Sequence, residues 1–199
     1  GPWTVATYML QGQGGEKERA RRALYERSGD VDALLDVLVE MSAQHLVAQV
    51  KAGADCLQIF ESWSEGLSPA QFQRVIIEPT RKLVNLVREL GVGAPVIGFP
   101  RGAGAQIKAY ANETGVNALG VDTQTPASFA IEAAPEKMPL QGNLDPLALV
   151  VGGEALERAA RDVIAAFKTV PHIFNLGHGI TPDATPENVA RLVQVVKGG

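Results

Sequence analysis

Apolar runs of strand length alternate with stretches of helical period along almost the whole sequence. The runs are WTVATYML (3–10), CLQIF (56–60), PVIGF (95–99), ALGV (118–121), MPLQGN (138–143) and HIFNLG (172–177). Near-continuous apolar runs of this kind read as strands buried on both faces, and a helix after each one makes repeated βα units with a parallel sheet. Two architectures satisfy that pattern, a (β/α)8 barrel and a doubly wound open sheet. The glycine clusters GQGG (12–15) and GAG (102–104) lack the G-x-G-x-x-G spacing of a dinucleotide site, and no phosphate-binding loop pattern occurs. The α/β reading is therefore the TIM barrel. A complete barrel has eight strands and about 250 residues. Six βα units in 199 residues, starting in mid-core at Trp3, predict a single domain (1–199) that is the carboxyl-terminal part of a barrel, with two strands upstream.

Helical segments are expected at 16–27, 30–53, 68–90, 103–114, 126–134, 153–168 and 185–197. Asp30 is the expected N-cap and Gly53 the expected C-cap of the second. Ser68-Pro69 and Thr185-Pro186-Glu187 read as helix starts, and Pro79 predicts a kink or break near Glu78.

Composition bounds the partners. The chain is 46% hydrophobic and 20% charged with net charge −4, and its mean hydropathy is +0.04. This argues for a globular cytoplasmic enzyme or binding protein and against bulk nucleic-acid binding. No apolar stretch reaches the ~18 residues of a membrane span, and the start carries no basic signal-peptide region. One cysteine, Cys56, excludes an intrachain disulfide and a cysteine-rich zinc site; its place in CLQIF predicts a small buried apolar role.

In a barrel, chemistry gathers at the carboxyl ends of the strands. Those ends supply Tyr8, Glu61 with Ser62, Arg101, Asp122, Asn143 with Asp145, and His178. Each has a plainer alternative: Tyr8 a core tyrosine, Ser62 a strand end, Glu61 a local pair, Arg101 an ion pair with a neighbour such as Asp122, Asp145 a helix cap. His178 is harder to assign to structure, because Gly177 and Gly179 make its turn open. His45, within a helix, and His172, at a strand start, read as structural.

The motifs GPWTVATYM, GADCLQIFESW, IGFPRGAG, TGVNALGVD, LQGNLDP and HIFNLGHGI, in this order, resemble the uroporphyrinogen decarboxylase family, in its bacterial form, across essentially the whole chain. The resemblance implies a (β/α)8 barrel and a homodimer. It implies removal of four acetate carboxyl groups from uroporphyrinogen III to give coproporphyrinogen III in haem biosynthesis, without cofactor or metal. It further implies substrate contacts by Tyr8, Ser62 and His178; Arg101 is added as a carboxylate partner from its position. The family's catalytic aspartate and carboxylate-binding arginines belong to its amino-terminal part, so no catalytic residue is assigned within this chain, and the chain alone is expected to be inactive.

Two other readings compete. Zinc-dependent corrinoid or folate methyltransferases share the architecture but bind zinc through cysteine at strand ends, where this chain has FPRGAG and NLGHG. A barrel remnant acting as a non-catalytic binding module is the other.

Overall fold

Pro2 opens a helix, not a strand, in the computed structural model, which describes residues 1–12 and 17–198. Helix α1 (Pro2–Gln11) replaces the expected strand 3–10. Proline fits a first helical turn because no intrahelical partner awaits its missing N–H. Trp3, Ala6 and Thr7 are buried at helical spacing while Val5, Tyr8 and Met9 are exposed, a 3.6-residue and not a two-residue period. The described residues consequently hold five strands instead of six: β1 (Leu57–Glu61), β2 (Val96–Pro100), β3 (Ala118–Gly120), β4 (Leu140–Leu144) and β5 (His172–Leu176). Of the cluster at 12–15, all but Gly12 lies outside the described residues.

Helices α2 (Glu18–Glu26), α3 (Ser28–Lys51), α4 (Pro69–Phe72), α5 (Glu78–Glu89), α6 (Ile107–Glu113), α7 (Ala127–Ala133), α8 (Pro146–Val151), α9 (Gly153–Ala166) and α10 (Pro186–Val196) complete the chain. The start of α3 departs from expectation: Arg27 occupies the cap position and Asp30 lies in the first turn, where its charge still suits the helix dipole. At its other end Ala52 is the cap, and Gly53, at φ +108°, turns the chain out of the helix. The kink or break expected near Glu78 takes the form of a π-helical segment, Gln73–Ile77, and the chain stays helical as it runs directly into α5. Ser68 and Thr185 cap α4 and α10, accepting from the N–H groups of Gln71 and Asn188.

The chain divides into two compact units, Gly1–Ala118 and Leu119–Gly199. In the first, β1 and β2 pair in parallel from Leu57↔Val96 to Glu61↔Pro100. Trp3, Phe72, Ile76, Ile77, Leu83 and Tyr110 fill its core. Gly98 on β2 leaves room for the Tyr110 ring: a Cβ there would stand 2.6 Å from the phenol oxygen. In the second unit β4 pairs in parallel with β3 on one side and β5 on the other. Leu144, Leu149, Leu156, Ala160, Leu192 and Val195 form a core among α8, α9 and α10. Asp145 takes the capping role, its Oδ1 accepting from Leu147 N–H at 2.9 Å. Asp145→Ala is expected to cost about 1 kcal/mol in chemical denaturation.

Cys56 corrects another expectation. It precedes the first residue of β1 and is exposed, so the apolar run begins to bury only at Leu57. His172 is structural: its Nε2 lies 2.6 Å from the Gly142 carbonyl and its ring stacks on Phe167 at 4.5 Å. His45 lies exposed on α3.

Candidate functional site

In the first unit the strand end and the first helix meet around one indole. β1 buries Leu57 and Ile59 on one face, and the same alternation sends Glu61 inward, where it is 0% exposed. Its carboxylate accepts from Trp3 N–H (3.2 Å), Thr4 N–H (2.9 Å) and the Thr4 hydroxyl (3.0 Å), the opening turn of α1. Burial pushes the Glu61 carboxyl above its ordinary range, against the pull of these hydrogen bonds.

The chain leaves β1 through Ser62 and Trp63. Ser62 N–H donates to Thr4 Oγ1 at 2.8 Å, and Ser62 C=O accepts from Arg101 Nη1 at 3.0 Å. Trp63 collects the neighbouring groups. The Tyr8 ring stands edge-on to it at 5.9 Å, the Arg101 guanidinium lies 5.7 Å from its centroid and the Lys17 ammonium 3.2 Å. Arg101 Nη1 also reaches Glu65 at 3.4 Å, so the acid it pairs with is Glu65 where Asp122 was suggested. Tyr8, Ser62 and Arg101 are thus brought together, although Tyr8 arrives on a helix and is half exposed (49%), not a core tyrosine. A cavity of about 600 Å³ adjoins Trp63 and is lined by Lys17, Arg21, Arg22 and Tyr25 among others; Tyr8, Ser62 and Arg101 do not line it.

In the second unit a chain of backbone contacts holds the histidine turn. Asp122 organises the turn after β3, its Oδ1 accepting from Gln124 N–H, Thr125 N–H and the Thr125 hydroxyl at 3.1, 3.0 and 2.8 Å. Asn143 ties that turn to β4 by donating to the carbonyls of Asp122 and Thr125. Thr123 N–H in turn reaches Gly177 C=O at 3.3 Å, and Gly177 N–H reaches Leu144 C=O at 2.8 Å. The two glycines around His178 differ. A Cβ on Gly177 would overlap the backbone of Thr123, whereas one on Gly179 would meet nothing within 4 Å. His178 Nδ1 accepts from Gly179 N–H at 2.7 Å, so in its neutral form the ring carries its proton on Nε2, and the side chain is exposed. That nitrogen is a donor available to an anion.

Sequence reasoning quoted Trp63 within a motif but gave it no role, and it missed Lys17 and Thr4. Only the aromatic in FESW signalled any of them. Among the described residues no three His, Cys, Asp or Glu side chains gather in a metal-binding arrangement.

Known proteins resemble this chain along its whole length. The family described as uroporphyrinogen decarboxylase (URO-D) matches residues 1–199. A uroporphyrinogen decarboxylase of Sphingopyxis alaskensis is 46% identical over 199 residues, covering 100% of this chain and 58% of that protein. One of Rhizorhabdus wittichii is 47% identical over 198 residues, 99% and 58% of the two lengths. The chain therefore spans little more than half of these relatives. Among solved structures, a methyltransferase from Methanosarcina mazei superposes with a TM-score of 0.83 at 22% identity, covering 100% of this chain and 56% of that one. That likeness carries the fold: α/β, with five βα units of the barrel class.

Proposed function

The chain belongs to the uroporphyrinogen decarboxylase family, and on that premise we propose that the complete protein removes the four acetate carboxyl groups of uroporphyrinogen III to give coproporphyrinogen III. The family match over all 199 residues carries this reading. Losing CO₂ from an acetate arm leaves an electron pair that needs a sink, and protonation of the electron-rich pyrrole provides one without a cofactor. This chain's share of the work is to bind and orient the macrocycle. Its substrate carries many carboxylates, and neutral or cationic donors at a strand rim suit them.

The residues proposed to touch substrate are Tyr8, Ser62 and His178, with Arg101 as a further carboxylate partner. Tyr8 and Ser62 sit beside Trp63 with the Arg101 cation. His178 offers Nε2–H from an open turn. The groups that steer protonation of the pyrrole belong to the family's amino-terminal part. We also propose that the protein works in the cytoplasm as a homodimer; among the described residues no helix is long and apolar enough to cross a membrane.

The complete gene product, incubated anaerobically with uroporphyrinogen, should yield coproporphyrinogen, read as coproporphyrin by chromatography after oxidation. An intact substrate would overturn the proposal. His178→Ala should lower kcat/KM by about tenfold to a hundredfold, the worth of one hydrogen bond to a charged group. Wild-type kinetics in that variant would remove His178 from the site.

A further inference from the structure

A carboxylate that no solvent reaches has no need to stand at the end of β1. Leu57 and Ile59 fill the same face of the strand with apolar groups, and a third aliphatic side chain would bury at far lower cost than Glu61. What Glu61 gains is the opening turn of α1, through Trp3 N–H, Thr4 N–H and the Thr4 hydroxyl. The Thr4 oxygen does two things at once: it gives its proton to Glu61 Oε2 and accepts the N–H of Ser62 at 2.8 Å. A second tie runs in parallel, from Trp3 Nε1–H to the Trp63 carbonyl at 3.0 Å. Tyr8 is one helical turn beyond Thr4, on the same face of α1, and its ring meets Trp63.

We propose that Glu61 and Thr4 are positioning residues, a buried latch that fixes Ser62 and the helix carrying Tyr8 in one mutual register so that both face the substrate. The inference rests on the decarboxylase reading for its substrate and on hydrogen-bond geometry for its mechanism. Without the hydroxyl of Thr4, the Ser62 N–H loses the acceptor that fixes it, while the ties through the Ser62 and Trp63 carbonyls remain and α1 keeps its two backbone bonds to Glu61. The latch thus separates placement of the site from formation of the helix.

The test uses Thr4→Val, nearly the same shape without the hydroxyl, and Thr4→Ser, which restores it, both in the complete protein. Thr4→Val should raise KM for uroporphyrinogen about tenfold with a smaller change in kcat, and Thr4→Ser should return KM to within about twofold of wild type. Independently of turnover, exchange of the Ser62 amide hydrogen should quicken about tenfold in Thr4→Val and recover in Thr4→Ser. Unchanged exchange in Thr4→Val overturns the latch. So does a Thr4→Ser variant as impaired as Thr4→Val, which would put the effect on the γ-methyl group. Faster exchange with an unchanged KM would leave a structural tie and overturn the positioning role. A wild-type protein that leaves uroporphyrinogen intact while its variants show the expected exchange sinks the decarboxylase reading and spares the latch's geometry.

Discussion

Glu61→Leu is expected to cost the complete protein about 4 kcal/mol. The carboxylate is fully buried and serves three donors, and leucine would leave the N–H groups of Trp3 and Thr4 and the Thr4 hydroxyl without acceptors. Each orphaned donor costs its desolvation, whereas the apolar gain of leucine offsets only part of it. Glu61→Gln should cost less, because one oxygen remains to accept while the amide NH₂ opposes a second donor. The pH dependence has a definite sign. Because burial raises the folded-state value of Glu61, the folded state binds its proton more readily than the unfolded chain does. The stability this group contributes is present at low pH and falls as pH rises through the raised value; neither variant should show that slope. Urea midpoints measured across the acid range read both effects. A loss below about 1 kcal/mol for Glu61→Leu would mean that the start of α1 is held by packing alone.

Gly177→Ala should cost about 3 kcal/mol and disable the histidine turn together with it. The obstacle is space, since the new methyl group would land on the backbone N and Cα of Thr123. That backbone cannot yield easily: Thr125 and Gln124 are bound to Asp122, and Asn143 grips the same turn from β4. Either the 122–125 turn or the His178 turn must move. Gly179→Ala is the control, with nothing within 4 Å of the added atom and an expected change within about 0.5 kcal/mol. Thermal unfolding and kcat/KM of the two variants, compared side by side, decide the matter. Equal effects would show that the turn as a whole, and not the Gly177–Thr123 contact, is sensitive.

The five strands β1 to β5 were legible because each falls in a compact apolar run between breaking residues, and Ser68-Pro69 and Thr185-Pro186 marked helix starts that the structure keeps. Residues 3–10 misled because eight mostly apolar residues satisfy either period; Pro2, just before them, was the clue to a helix. Cys56 shared an apolar run but sits one residue outside its strand. The grouping of Tyr8, Ser62 and Arg101 was partly legible, since motif order placed all three at one rim. Its physical cause was not. Thr4 and Glu61 are 57 residues apart, and no local pattern ties the start of a helix to the end of a distant strand.

The parallel pairing of the strands has a kinetic consequence. Leu57 finds Val96 and Leu140 finds His172 only after an intervening helical stretch has been laid down. Neither β1 with β2 nor β4 with β5 can zip from a tight hairpin, so each of these pairings must close a long loop before any ladder bond stabilises it. Such chains fold toward the slow end of the range, in milliseconds to seconds, and their unpaired strands stay open to wrong partners for that time.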